Sequence, residues 1–508
     1  MEKNYSTMLM AKKQTMPLGQ MLVESNISTD YEISKILSID TRVSLPLDTY
    51  SSIKEGQVIG KLVLNIIYID AEGNINSENH TSPISYKLEN DNLDKVQNII
   101  TKAYVSDNDI FAKSGKDLKI TTTISFENTL ITNGEQQYLS DCGSNTFTKL
   151  SEVEGLSYSK NTCERFEEEL EVAIKGGVKK ILNTTTQLDI KNISAGTNFV
   201  AVEGELVANI LFVGNEEPNE LQSIVINKEF KQEFDSEGIT SQTLFDFMPY
   251  VIYDEVTTNI DGDDDNQSIN IKVPILMCFD FYEKTSYMSI VDMYSTKDLI
   301  DITKENIAGS RFFTPFVIEG KIEGSVIISE DNPRVDKYLC TTNINATPTN
   351  VYVKDGTLYI EGITTANVLY LNDETDGILS VEIEIPFVVS GECELSNDAN
   401  IITHICLENT DVMVKRGKEI FLDAKLKALI TASEDYNFET ITNVDVVGEL
   451  APKDTSLEIY FGKNGESVWD IAKNLKIPSE LILAQNPDLS DPLEKDAKIA
   501  IYYQKTRE

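Results

Sequence analysis

The chain has 508 residues, 41% of them hydrophobic, enough for three or four packed cores and too apolar for wholesale disorder. Asp and Glu outnumber Lys and Arg by 83 to 44, a formal charge of −39, and such a field repels phosphate backbones and anionic surfaces, which excludes nucleic acid as a partner. No window approaches the roughly 18 apolar residues of a membrane span, and Met8-Leu9-Met10-Ala11 is too short for the apolar core of a signal peptide. The expectation is a chain that stays in the cytosol, with no direct membrane insertion. Its six cysteines are scattered singly, which in a reducing compartment predicts free thiols.

Residues 1–19 read as a flexible N-terminal tail. A first β domain is expected over 20–145, with turns at Ala71-Glu72-Gly73-Asn74 and Thr132-Asn133-Gly134. Within it lies Gly60-x₄-Asn65-Ile66-Ile67-Tyr68, a stretch that returns as Gly204-x₄-Asn209-Ile210-Leu211-Phe212 and Gly362-x₄-Asn367-Val368-Leu369-Tyr370. Around each copy polar and apolar residues alternate, the period of a half-buried strand. Leu37, Leu182 and Leu339 precede their glycines by 23, 22 and 23 positions. Ile120 and Leu422 each lie 60 positions after theirs, in matching alternating strands. The reading is three tandem copies of one antiparallel β-sandwich-like domain.

Residues 143–158 lack apolar periodicity and read as a linker. The second domain is placed at 164–304. It opens on the acidic run Glu164–Glu171, read as a solvated face or strand edge. It also carries Asp261-Gly262-Asp263-Asp264-Asp265-Asn266, whose sixth and twelfth places hold Asn266 and Lys272 where a calcium-binding EF-hand loop needs Gly and Glu. An acidic hairpin loop is the better reading. The third domain is placed at 313–448, with an edge strand at Ile385-Pro386-Phe387, since proline cannot donate to a ladder. A short linker follows over 449–456.

From 456 to 503 the period becomes helical. Leu457–Phe461 reads as a strand and Gly462–Glu466 as a turn, and Ser467 stands at an N-cap with Asp470 three residues on. Val468, Ile471, Ala472 and Leu475 make one apolar helical stripe. A second helix runs from Pro478-Ser479 to Asn486-Pro487, and Lys498–Tyr502 closes a small βααβ domain.

Tyr460, Gly465, Glu466-Ser467-Val468-Trp469, Ile471-Ala472, Leu481, Asn486-Pro487 and Ile499-x-Ile501 place this unit close to the LysM family, whose members bind N-acetylglucosamine polymers. The resemblance implies a groove of Gly465, Glu466, Ser467 and Val468 on one side and Asn486, Pro487 and Asp488 on the other. Trp469, the chain's single tryptophan, either caps the small core or stands partly exposed as a partner-binding hot spot. The pattern departs from the family at Glu466, Lys495-Asp496 and Ile501-Tyr502.

Three copies of G-x₄-N-[IV]-[IL]-[YF] followed by one LysM unit resemble the SPOCS-domain (DUF3794) proteins of spore-forming Firmicutes. The resemblance implies a non-enzymatic coat scaffold in the mother-cell cytoplasm at the forespore surface. Its LysM unit would dock on a SpoIVA-like coat-basement ATPase, beside other coat proteins. The alternative is a peptidoglycan or cortex binder that uses LysM on glycan. Free sheet edges also permit self-association.

No catalytic, cofactor or metal site is predicted. The two histidines, His80 and His404, read as surface or loop residues, and there is no nucleophile elbow, phosphate loop, dinucleotide fingerprint or zinc-ligand spacing.

Overall fold

A computed structural model describes residues 2–47, 56–89, 93–112, 115–143, 145–215, 221–263, 267–374, 377–451 and 455–503. The strands in chain order are β1 (Lys3–Thr15), β2 (Gly19–Ser28), β3 (Ile33–Ser44), β4 (Gln57–Asp70), β5 (Ile75–Lys87), β6 (Val96–Ala112) and β7 (Asp117–Cys142). Then come β8 (Thr146–Ile174), β9 (Val178–Ala195), β10 (Phe199–Gly214), β11 (Leu221–Asp235), β12 (Leu244–Val251), β13 (Thr257–Asp261) and β14 (Gln267–Ser295). A third series follows: β15 (Asp298–Phe312), β16 (Phe316–Ile327), β17 (Lys337–Lys354), β18 (Thr357–Leu371), β19 (Ile378–Glu392), β20 (Asn400–Lys415) and β21 (Glu419–Glu449). The chain ends in β22 (Leu457–Gly462), helices α1 (Val468–Leu475) and α2 (Ser479–Gln485), and β23 (Ala497–Tyr502). The protein is mainly β, and no helix of the described residues is long and apolar enough to cross a membrane.

Three antiparallel three-stranded sheets have the orders β3-β4-β5, β9-β10-β11 and β17-β18-β19, and each central strand carries one copy of the glycine–asparagine stretch. The glycines are required by close approach. A Cβ on Gly60 or Gly204 would fall 2.7 Å from Ser44 O or 2.5 Å from Asp189 O, and one on Gly362 would strike Thr347 O. Strands β9 and β17 bulge at these points, which brings the carbonyls in. Each three-stranded sheet packs its apolar face on a second sheet built around a long strand, β7, β14 or β21, of 26, 29 and 31 residues.

The far halves of these long strands leave the sandwiches and pair as two-stranded ribbons with β1, the first half of β8, and β15. Residues at a constant interval of 151 meet between the ribbons: Leu139, Ile290 and Ile441, then Cys142, Met293 and Val444. A second shared cluster joins the three-stranded sheets, where Leu37, Leu182 and Leu339 meet Ile67, Leu211 and Leu369.

Several expectations are overturned. Residues 1–19 are no tail: β1 pairs with β7 from Lys3↔Cys142 to Thr15↔Thr129, and Met8, Met10 and Ala11 are buried. Lys13 is buried too, its Nζ 2.7 Å from Asp246 Oδ1 and 4.2 Å from the centre of the Phe312 ring. The expected linker over 143–158 holds the first half of β8, paired with β14. Cys163 and Cys278 are joined in a disulfide, because that pairing sets them directly opposite each other. His404 lies in β20 rather than a loop, its Nε2 3.2 Å from Leu188 O, and burial pushes it down to about 4. His80 is a half-buried residue of β5.

Pro386 lies on β19, which pairs with β18 alone, at the edge of its sheet. The acidic run occupies β8, which pairs only with β14 and is likewise an edge. Its charges are partly matched by Lys228 on Glu168 and Lys272 on Glu169. Asp264, Asp265 and Asn266 lie outside the described residues.

Candidate partner-binding module

The C-terminal unit is built around α1. Ser467 Oγ accepts from Asp470 N at 3.1 Å and donates to Asp470 Oδ2 at 2.6 Å, so cap and third residue fix each other. Val468, Ile471, Ala472 and Leu475 turn inward onto Ile482, Ile499 and Ile501. Strands β22 and β23 pair antiparallel from Leu457↔Tyr502 to Gly462↔Ala497. Lys476, in the left-handed region at φ 56°, ends the helix.

The two loops expected to form a groove are tied together. Gly465 N donates to Leu493 O at 2.7 Å, Leu493 N donates to Glu466 O at 3.0 Å, and Val468 N donates to Asp491 Oδ1 at 2.9 Å. Glu466 is occupied locally: it accepts from Tyr460 Oη at 2.6 Å, which raises that phenol's pKa, and from Lys463 N at 3.0 Å. Asn486 is a clasp rather than a free amide. Its Nδ2 donates to Ile482 O and Ala500 O, each at 3.0 Å, and its Oδ1 accepts from Ala500 N at 3.1 Å. Gly465, Pro487 and Asp488 remain exposed.

Trp469 is engaged with the sheet body. Its Nε1 donates to Asp292 Oδ2 at 2.8 Å, and its ring meets Tyr294 edge-on with centroids 5.1 Å apart. Lys473, one helical turn on, places Nζ 2.6 Å from Asp292 Oδ1. Tyr294, fully buried, donates its hydroxyl to Ile477 O at 2.8 Å and stacks on Phe147. Burial pushes the Asp292 carboxyl up, but the bonds from Lys473 and Trp469 outweigh it and hold the group below the usual carboxylate range. One helix face thus anchors the module to β14. The i, i+4 spacing of Trp469 and Lys473 was the available signal for this face. Nothing local marked Asp292 and Tyr294 as its receptors.

One face of the β22–β23 pair carries exposed apolar side chains, with Lys498 Nζ 5.7 Å from the centre of the Phe461 ring. Leu457, Ile459 and Phe461 on β22, with Tyr502 on β23, are 46%, 53%, 66% and 59% exposed. Alternation puts the three β22 residues on one face, and Leu457 lies directly opposite Tyr502. These four side chains form the module's candidate docking face.

Comparison of the chain with protein families, curated proteins and solved structures finds no match.

Proposed function

We propose that this chain is a non-enzymatic, SipL-like spore-coat scaffold: three copies of one SPOCS-type β unit around a common centre, with a LysM-type module that grips a SpoIVA-like coat ATPase. Grouped by their sheets, the units would be β1–β7, β8–β14 and β15–β21, each starting earlier than the expected 20–145, 164–304 and 313–448 because β1, the first half of β8 and β15 pair with β7, β14 and β21. The three-copy reading is supported by the common sheet order and by the 151-residue interval between residues that share one cluster. The observation that carries the docking role is the exposed face of Leu457, Ile459, Phe461 and Tyr502. It offers a protein partner an apolar surface, whereas the Asn486 amide of the glycan groove is already bonded within the module. The reading is tested in sporulating cells by fluorescence localisation of the full chain and of a chain lacking 455–508. The full chain is expected to ring the forespore and the shortened chain to be dispersed. Equal localisation of both would reject the module as the docking element.

A further inference from the structure

The asparagines of the glycine–asparagine stretch face the seams between the three-stranded sheets. Asn65 Nδ2 donates across the first seam to Leu182 O at 3.0 Å. At the seam between third and first sheets, Asn367 Nδ2 reaches Ser38 Oγ at 3.5 Å. There Ser38 also bonds Thr342 at 3.1 Å, and Asn343 donates to Ile39 O. Those two seams are stitched. The seam between middle and third sheets differs: among the described residues no such bond joins Asn209 to the third sheet, and β9 is tied instead to β20, where Gln187 Oε1 accepts from Leu407 N at 3.2 Å. The register of β17 slips between Thr342 and Asn345, and Asn343, at φ 52°, turns toward the first sheet and leaves the middle one. A cleft of about 480 Å³ opens in the gap, walled by β9, β10 and β11 on one side and β17 and β20 on the other.

Its chemistry is narrow. Among the described residues, no Lys, Arg or His lines it. Of its three carboxylates two are paired, Glu205 with Lys191 at 3.1 Å and Glu408 with Lys427 at 2.8 Å, and the third, Asp411, stands exposed at the rim. The walls present neutral donors and acceptors such as Asn183, Asn227, Thr185 and Thr410, while Gln187 Oε1 is taken by Leu407 N and the Thr341 hydroxyl by Tyr338 Oη. The Tyr338 ring is 38% exposed and Val225 60%. An anion finds no cation here, and an apolar ligand would strip water from amides and return no hydrogen bonds. A ligand dense in hydroxyls satisfies both kinds of group and can lay a C–H face on the tyrosine. The volume falls within the roughly 300–1,000 Å³ of small-molecule sites.

We propose that the cleft between the middle and third sheets binds a neutral, hydroxyl-rich oligosaccharide, at a site separate from the C-terminal module. The test is saturation-transfer difference NMR on the full chain with tri-N-acetylchitotriose and maltotriose as probes. Saturation is expected to reach at least one sugar. Val225→Trp, a change at an exposed position, should weaken that binding about tenfold or more, and Asn227→Ala about threefold, the loss of one modest hydrogen bond. Asp488→Ala, on the module's loop, should leave it unchanged. The proposal is overturned if neither sugar receives saturation, if Val225→Trp binds as the unaltered chain does, if Asp488→Ala abolishes the signal, or if equimolar spermidine displaces the sugar.

Discussion

In the sheet body, leucines from β3, β9 and β17 share one cluster although hundreds of residues separate them. In the C-terminal module, nine of the ten buried core residues are local, and the tenth, Tyr294, is supplied by β14. The body therefore depends on long-range pairing throughout, whereas the module depends on itself and on one anchoring contact. Changes in the body are expected to be global and those at the module's anchor local.

The largest effect is expected at Lys13. Its ammonium is sealed against Asp246, and Lys13→Ala leaves that carboxylate uncompensated, a loss of roughly 3–5 kcal/mol in chemical denaturation. An unchanged midpoint would contradict the assignment of β1 to the core. Gly204→Ala forces a methyl onto Asp189 O and the Phe230 ring and should cost about 1–3 kcal/mol, again read as a shift of the whole body's transition. Asp292→Ala removes the acceptor shared by Trp469 and Lys473, each charged bond worth roughly 1.5–3 kcal/mol. Hydrogen exchange around α1 and Tyr294 should accelerate while the midpoint of the body stays in place. Exchange that spread evenly over the chain would erase the distinction between the two regions.

A smaller effect depends on pH. Burial, with Asp246 beside it, pushes Asp280 up to about 6, above an unfolded value near 3.9. Between those values the folded chain holds a proton that the unfolded chain has released, so this group favours folding more as pH falls and less as pH rises through about 6. Asp280→Asn should therefore gain stability relative to the unaltered chain above pH 6, and the gap should close toward pH 4. His404 acts with the opposite sign, since its folded value near 4 lies below the unfolded one and its contribution is lost on acidification below about 6.5. The smallest effect is expected at exposed Asp488, where Ala should shift stability by no more than about 0.5 kcal/mol.

Strand alternation, the glycine–asparagine copies and the Ser467 cap were legible in the sequence because each rests on local periodicity or local bonding. The role of β1 was not, because residues 1–19 read as a tail until Asp246, far along the chain, is brought over Lys13. The Cys163–Cys278 bond was hidden for the same reason, since only the long register of β8 on β14 aligns the two. In the module the helices followed from capping and stripe, yet Asn486, a groove residue by resemblance, proved a clasp between α2 and β23. Trp469 was legible as exceptional and not as an anchor, for its receptor Asp292 lies 177 residues away.

On the proposed function, the apolar face of β22 and β23, and not the loop pair around Asp488, takes the protein partner. Co-purification of the full chain with a SpoIVA-like coat ATPase, comparing Phe461→Glu with Asp488→Ala, tests it directly. Phe461→Glu is expected to lose the partner and Asp488→Ala to keep it. Retention by Phe461→Glu, with loss in Asp488→Ala, would contradict it.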